Sequence, residues 1–391
     1  MKKILNSPLA SFVVLVVIIF VIVRISLMSN TVTDLLQLNN EELGTGYISY
    51  SDTLHVVAFA GYFPEAIVRE FESEYDVKIN VELFESSLEL RHRLDAGATY
   101  DLIVVNDYLV EPFAEAGYLI PISHNQIPNY SYIDDRFRSI DFDYGNQYSI
   151  PFLWGTVGVS YNTNYVVGLP LSWEQLFEPE RIEYLRGNIS ILDDYRVTIG
   201  IMLQYLGYDP NTTNENEIAQ ATNQLLQLVP YIAFDHLEVI EQDILSEDLY
   251  MSMMWSGDAA MISSKNRNVR YTLPSEGTIF WVDNLAITRT SENQSLAYRF
   301  IDFLLNPRVI ADISNLNYHA NPVTDSRRYI DRHILNGPAY TNPYVSGNVT
   351  LITDIGEYDS LYQRYWDTFT DSLQSHMESV TDTLRLSPST P

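Results

Sequence analysis

Cysteine is absent from all 391 residues, which excludes disulfides, thiolate nucleophiles and cysteine-ligated zinc. The same absence removes the thiol that carries many lipid anchors, so tethering would need another device. Basic residues are scarce: 23 Lys and Arg face 51 Asp and Glu, for a net charge of −28. A surface of that sign repels nucleic acid and anionic headgroups, and it leaves cationic partners open. The chain has no G-x-G-x-x-G, no P-loop and no G-x-S-x-G motif. Its histidines (His55, His92, His124, His236, His319, His333 and His376) form no i, i+4 pair, so neither a metal site nor a cofactor is expected.

Long apolar runs are missing except at one end. Phe12–Val23 is apolar throughout, and Leu9–Met28 is interrupted only by Ser11, Arg24 and Ser26. About twenty helical residues rise roughly 30 Å, one hydrocarbon thickness. Lys2 and Lys3 in front favour a cytoplasmic N-terminus. Residues 1–30 therefore read as an uncleaved membrane anchor. A cleaved signal segment is the competing reading, although no small-x-small site follows. Either way the remainder lies on the extracytoplasmic face, starting with a polar stalk over residues 31–52.

From residue 53 short apolar runs alternate with helical periods, the pattern of an α/β fold. Leu54–Phe59, Val77–Phe84 and Asp101–Val105 read as strands, with helices over Glu65–Glu74, Leu88–Ala96 and Val110–Ala116 between and after them. A turn is expected at Pro151–Gly155, followed by strands at Val157–Tyr161, Asn188–Leu192, Met251–Trp255 and Thr278–Ile287. Helices are expected at Ser172–Phe177, capped by Ser172 with Gln175, at Val197–Leu206, Glu215–Leu228, Ser295–Leu305 and from Ser360 to about Leu373. A tail over residues 381–391 is expected to be disordered.

One of these strands contains Gly277–Ile287, GTIFWVDNLAI. Positions i and i+2 of a strand share a face, so Trp281 and Asp283 stand side by side, and a ring face and a carboxylate both attract an organic cation. Trp255 and Trp281 lie at strand ends or crossings, where open α/β sheets bind ligands. The same residue types also occur as a buried tryptophan beside a solvated acid.

Seven stretches occur together over roughly 300 residues: Tyr100–Val105, Tyr148–Gly155, Leu192–Asp194, Leu206–Tyr208, Met253–Gly257, Gly277–Ile287 and Phe300–Pro307. In them the chain resembles the bacterial spermidine/putrescine-binding proteins, extracytoplasmic receptors of ATP-binding-cassette (ABC) importers. The resemblance implies a type II periplasmic-binding-protein-like fold, with two open, mainly parallel sheets joined by a hinge. Lobe 1 would comprise residues 53–158 and 282–326, and lobe 2 residues 159–281 and 327–380. It implies a monomeric, non-enzymatic receptor that closes on putrescine or spermidine and delivers it to permease subunits.

Carried over by position, Trp281 and Asp283 match the ligand-stacking tryptophan and the amine-binding aspartate. Trp255 and Asp194 match a second aromatic wall and a second carboxylate, and Tyr62, Tyr108 and Tyr318 match cleft tyrosines. Phe59 and Asn106 stand where tryptophan and serine are common in the family. Val197 replaces a glutamate found in spermidine-binding members, and Ile352 falls nearest a glutamine, so a diamine held by Asp283 and Asp194, or a polyamine bound in a shifted register, fits better than a close copy of the spermidine receptor. Receptors of the same fold for another organic cation or ferric ion, and a surface enzyme or adhesin on this scaffold, are the alternatives.

Overall fold

Strand β1 (Thr53–Ala58), rich in β-branched and apolar residues, pairs in parallel with β2 (Lys78–Leu83) and β3 (Leu102–Asn106). The computed structural model describes residues 53–233, 237–343 and 348–386. The expected anchor, the stalk and residues 387–391 lie outside these. Among the described residues no helix is long and apolar enough to cross a membrane.

The sheet continues as β2-β1-β3-β8-β4-β6-β5, with β7 (Val269–Thr272) on β4 and β9 (Val349–Thr350) on β8. Here β4 is Ile150–Asn162, β5 Ile189–Ser190, β6 Met251–Trp255 and β8 Thr278–Ile287. Two corrections follow. There is one continuous sheet rather than two, because β4 and β8 pair with each other and each also pairs with the strands of one half. Nor is it mainly parallel: β8 is antiparallel to β3 and β4, and β4 is antiparallel to β6 and β7. The two strands that carry the chain between the halves impose this mixed pattern.

The expected turn at Pro151–Gly155 is also overturned, since those residues belong to β4 and every residue of that strand is buried. Proline usually interrupts a central strand. Here the register against β8 shifts between Pro151 and Leu153, and that irregularity accommodates the missing N–H.

The helices follow their apolar periodicity. Ile67 and Phe71 are the buried residues of Glu65–Tyr75, and the Phe71 ring lies 4.8 Å from Phe300 and 5.2 Å from Phe303. Truncating such a side chain to alanine costs about 3–5 kcal/mol. The N-cap of helix Glu174–Phe177 is Trp173 rather than the expected Ser172, although Gln175 accepts from the Ser172 backbone N–H (2.9 Å) and Ser172 Oγ accepts from Glu174 N (3.1 Å) one residue earlier. Asn306 and Pro307 do end helix Gln294–Leu304. They also start another, Pro307–Asn317, where Asn306 Oδ1 accepts from Arg308 N at 3.0 Å.

The last helix, Asp359–Leu386, is longer than expected. Tyr362, Trp366, Phe369 and Leu373 recur at helical spacing and are buried, making one apolar face. That face packs on helices Tyr195–Tyr205 and Glu215–Leu228, where Tyr362 donates from its hydroxyl to the carbonyls of Pro210 and Thr212.

Candidate ligand-binding site

Three strands in turn end and hand the chain to polar or aromatic residues at their carboxyl edge: β1 to Phe59–Tyr62, β3 to Asn106–Tyr108 and β6 to Trp255–Asp258. Strand β8 crosses between them and carries Trp281 and Asp283. This is the position at which open α/β sheets collect ligand contacts.

Asp283 is 3% exposed. Its Oδ1 accepts from Asn106 Nδ2 at 2.7 Å and its Oδ2 from the Tyr62 hydroxyl. Asn106 is oriented in turn by Ser87, whose hydroxyl donates to Asn106 Oδ1. Burial pushes the Asp283 carboxyl up to about 7, against the two hydrogen bonds that favour the anion. The Tyr62 hydroxyl is pushed well up, first by burial and then by the Asp283 charge and hydrogen bond.

The aromatic walls stand at right angles, with the Trp255 and Trp281 ring centroids 5.9 Å apart and the planes at 86°. Glycine makes this packing possible. A Cβ on Gly155, which pairs with Trp281 across the strands, would lie 2.5 Å from the indole. Phe59 lies 5.4 Å from Tyr62 and 4.2 Å from Phe84, behind the site.

Asp194 is built differently. It is the N-cap of helix Tyr195–Tyr205, and its Oδ1 accepts from Val197 N at 2.9 Å. Burial raises its pKa, while the Val197 hydrogen bond and the nearby Arg196 charge pull it down. Arg196 is buried and donates to Asp359 (3.1 Å), Asn211 (3.3 Å) and the Thr353 carbonyl (3.0 Å). Its guanidinium lies 5.8 Å from the Tyr108 ring and 4.9 Å from the Tyr362 ring. Tyr108 and Tyr195 therefore belong to the Asp194 end, where Tyr195 donates to Asp359 at 2.8 Å. Val197 and Ile352 are both buried apolar side chains.

Tyr318 takes a left-handed turn (φ 62°) after its helix. Its hydroxyl accepts from Ser264 at 3.3 Å and its ring sits 6.0 Å from His333. The following residue, His319, faces the aromatic walls instead, 5.7 Å from Trp281 and 5.9 Å from Tyr62. Burial holds its imidazole neutral, with the pKa lowered to about 4. Gly257 is what lets it in, because a Cβ there would lie 2.1 Å from the His319 ring.

Two carboxylates escape the sequence reading. Asp258 follows Trp255 by three residues in the first turn of helix Ser256–Lys265, and its charge acts on Tyr62. Burial, then Glu241, raises its pKa to about 7. An acid in the first helical turn after a strand end was the available signal. Asp107 begins helix Asp107–Glu115, and its Oδ2 accepts from Val282 N at 3.0 Å.

The model of the family described as bacterial extracellular solute-binding protein matches residues 66–329. A spermidine/putrescine-binding periplasmic protein of Escherichia coli is 28% identical over 320 residues, covering 81% of this chain and 91% of the relative. A putrescine-binding periplasmic protein, PotF, of the same organism is 29% identical, covering 74% and 83%. Among solved structures, a Listeria monocytogenes chain provisionally assigned to a spermidine/putrescine ABC transporter superposes with a TM-score of 0.74 at 28% identity, covering 81% of this chain and 99% of that one.

Proposed function

The chain belongs to the family of bacterial extracellular solute-binding proteins, and from that premise we propose that it binds a linear polyamine, putrescine or spermidine, outside the cytoplasm. It delivers that ligand to the permease subunits of an ABC importer. Relatives described as binding spermidine or putrescine, two of them matching at 28–29% identity, support the ligand class.

The observation that carries the reading is Asp283. It is a buried carboxylate held by two neutral donors, with no basic side chain within ion-pair distance among the described residues. A buried anion is stabilised by a matching cation, and a primary ammonium offers a compact charge with three donors. Trp255 and Trp281, whose rings meet edge to face, present apolar surface on which the methylene chain packs, at about 0.8 kcal/mol per buried CH₂. Phe59, Tyr62 and Asn106 complete the Asp283 end. Tyr108 and Asp194 form the far end, and Tyr318 lies at the rim. Asp258, whose charge acts on Tyr62, adds a further acid from the first turn of helix Ser256–Lys265.

Arg196 and Val197 make the far end poor in negative charge, so the shorter diamine is the ligand favoured. Residues 1–30 anchor the receptor to the membrane, and residues 31–52 hold it away from the surface. The two halves of the sheet close on the ligand about the paired strands β4 and β8, and the protein acts as a monomer. Isothermal titration with putrescine, spermidine, spermine and a ferric salt tests the reading. Saturable heat with putrescine supports it, and heat with iron but with no polyamine overturns it.

A further inference from the structure

Asp107 is 3% exposed, and both of its oxygens are committed to backbone amides: Oδ1 accepts from Tyr108 N at 2.8 Å and Oδ2 from Val282 N at 3.0 Å. Val282 immediately precedes Asp283, and Asn106, immediately before Asp107, is both the ladder partner and a hydrogen-bond donor of Asp283. Two buried carboxylates therefore meet where β3 ends against β8, Asp107 on the backbone amide one residue before Asp283 and Asp283 on the side chain one residue before Asp107.

The groups around them are few. Tyr62 and Asn106 donate to Asp283 and are neutral. Helix Ser256–Lys265 brings Asp258, a third acid, toward Tyr62. His319 packs on Tyr62 and Trp281 and is held neutral by burial. Tyr108 leads toward Asp194, another acid. Arg196 acts on Asp107 less than burial, the Asp283 charge and the two backbone hydrogen bonds do, and it is already bonded to Asp359, Asn211 and the Thr353 carbonyl. Two anions enclosed together with so little positive charge destabilise each other, and such a pair retains a proton.

We infer that Asp107 and Asp283 share one proton in the ligand-free protein, and that an ammonium group docking on Asp283 drives this proton into solvent. The carboxyl O–H bond breaks, its electron pair stays on the carboxylate oxygen, water takes the proton, and the ligand ammonium keeps all three of its own. The pair carries one negative charge before the exchange, and the pair with its ammonium carries one after it. Burial and the Asp283 charge raise the Asp107 pKa, against the two backbone hydrogen bonds and the Arg196 charge that lower it, in keeping with this. The inference rests on the polyamine reading for its trigger, and Asp107 acts through Asp283 as a positioning residue.

Two measurements on the full-length chain test it. Carbon-13 NMR of protein labelled at aspartate Cγ, without ligand, is expected to show a carboxyl titrating near neutrality. Its midpoint should fall by about a pH unit or more in Asp107→Asn, and the Asp107 signal should fall likewise in Asp283→Asn. Putrescine titrated at pH 6.5 in phosphate and in Tris is expected to give enthalpies that differ by the ionisation heat of close to one proton, and by little in Asp107→Asn. A near-neutral midpoint that stays unchanged in Asp107→Asn, aspartates that all titrate below pH 5, or equal enthalpies in the two buffers, would overturn the inference. Absence of heat with every polyamine would count against the ligand class, and the NMR midpoints would still decide whether the proton is shared.

Discussion

Asp283 and Asp194 look equivalent as carboxylates near the ends of predicted strands, yet the fold gives them opposite surroundings. Asp283 lies in a strand that crosses the sheet, buried and held by a phenol and an amide. Asp194 ends a loop, caps a helix through Val197 N and stands near a buried arginine. The lesson concerns accounting for charge: a carboxylate attracts a ligand cation by whatever part of its charge its own fold has left uncompensated. Asp283 is met by neutral donors, whereas the helix N-terminus and Arg196 already satisfy much of Asp194.

The sharpest way to break the comparison is Asp283→Asn. Leaving a ligand ammonium unpaired in a buried site is expected to weaken putrescine binding by about 2–5 kcal/mol, measured as a change in dissociation constant. Next in size is Gly155→Ala, whose methyl would press on Trp281 and on Ser256 Oγ at the Asp283 end alone. Overpacking of this kind costs about 1–3 kcal/mol of folding stability, to be read from urea unfolding, with a parallel loss of affinity as the indole is displaced.

A pH profile separates the ends further. Asp283 has a folded-state pKa of about 7, above its unfolded value, so the ligand-free fold binds the extra proton between about pH 4 and 7. Its contribution favours the fold at low pH and is lost as pH rises through 7. His319, lowered to about 4, works in the opposite sense between about pH 4 and 6.5, its contribution being present above that window and lost on acidification. Stability without ligand should therefore decline between pH 6.5 and 7.5, where His319 no longer compensates and Asp258, also raised to about 7, adds to the decline, and Asp283→Asn should make that decline shallower. Thermal melts across this range check it.

The smallest effect is expected at the other end. Asp194→Asn retains an N-cap of equal quality and should leave stability within a few tenths of a kcal/mol, whereas Asp194→Ala should cost about 1 kcal/mol. Chemical denaturation of the two variants distinguishes the cap from the charge.

Much of the strand and helix succession could be read from periodicity, and the adjacency of Trp281 and Asp283 followed from the two-residue repeat of a strand. Pro151 misled because a register shift hides its missing N–H within a buried strand. Asp107 and the bond between Tyr62 and Asp283 went unread for a physical reason: the partners are distant in the chain. Asp107 meets Val282 across 175 residues and Tyr62 meets Asp283 across 221. No local pattern marks such a pair. His319 was missed in favour of its neighbour because the left-handed turn at Tyr318 sends the two rings in different directions. Arg196, just ahead of the expected helix Val197–Leu206, carries no mark in the sequence, and in the fold it is buried and paired with Asp359 of the C-terminal helix.

The central claim, that one buried carboxylate anchors the cation, is tested most directly by titrating putrescine into Asp283→Asn and Asp194→Asn side by side at pH 8. The account predicts a loss of affinity of at least about thirtyfold for the first and under about fivefold for the second. Equal losses, or a larger loss for Asp194→Asn, would contradict it.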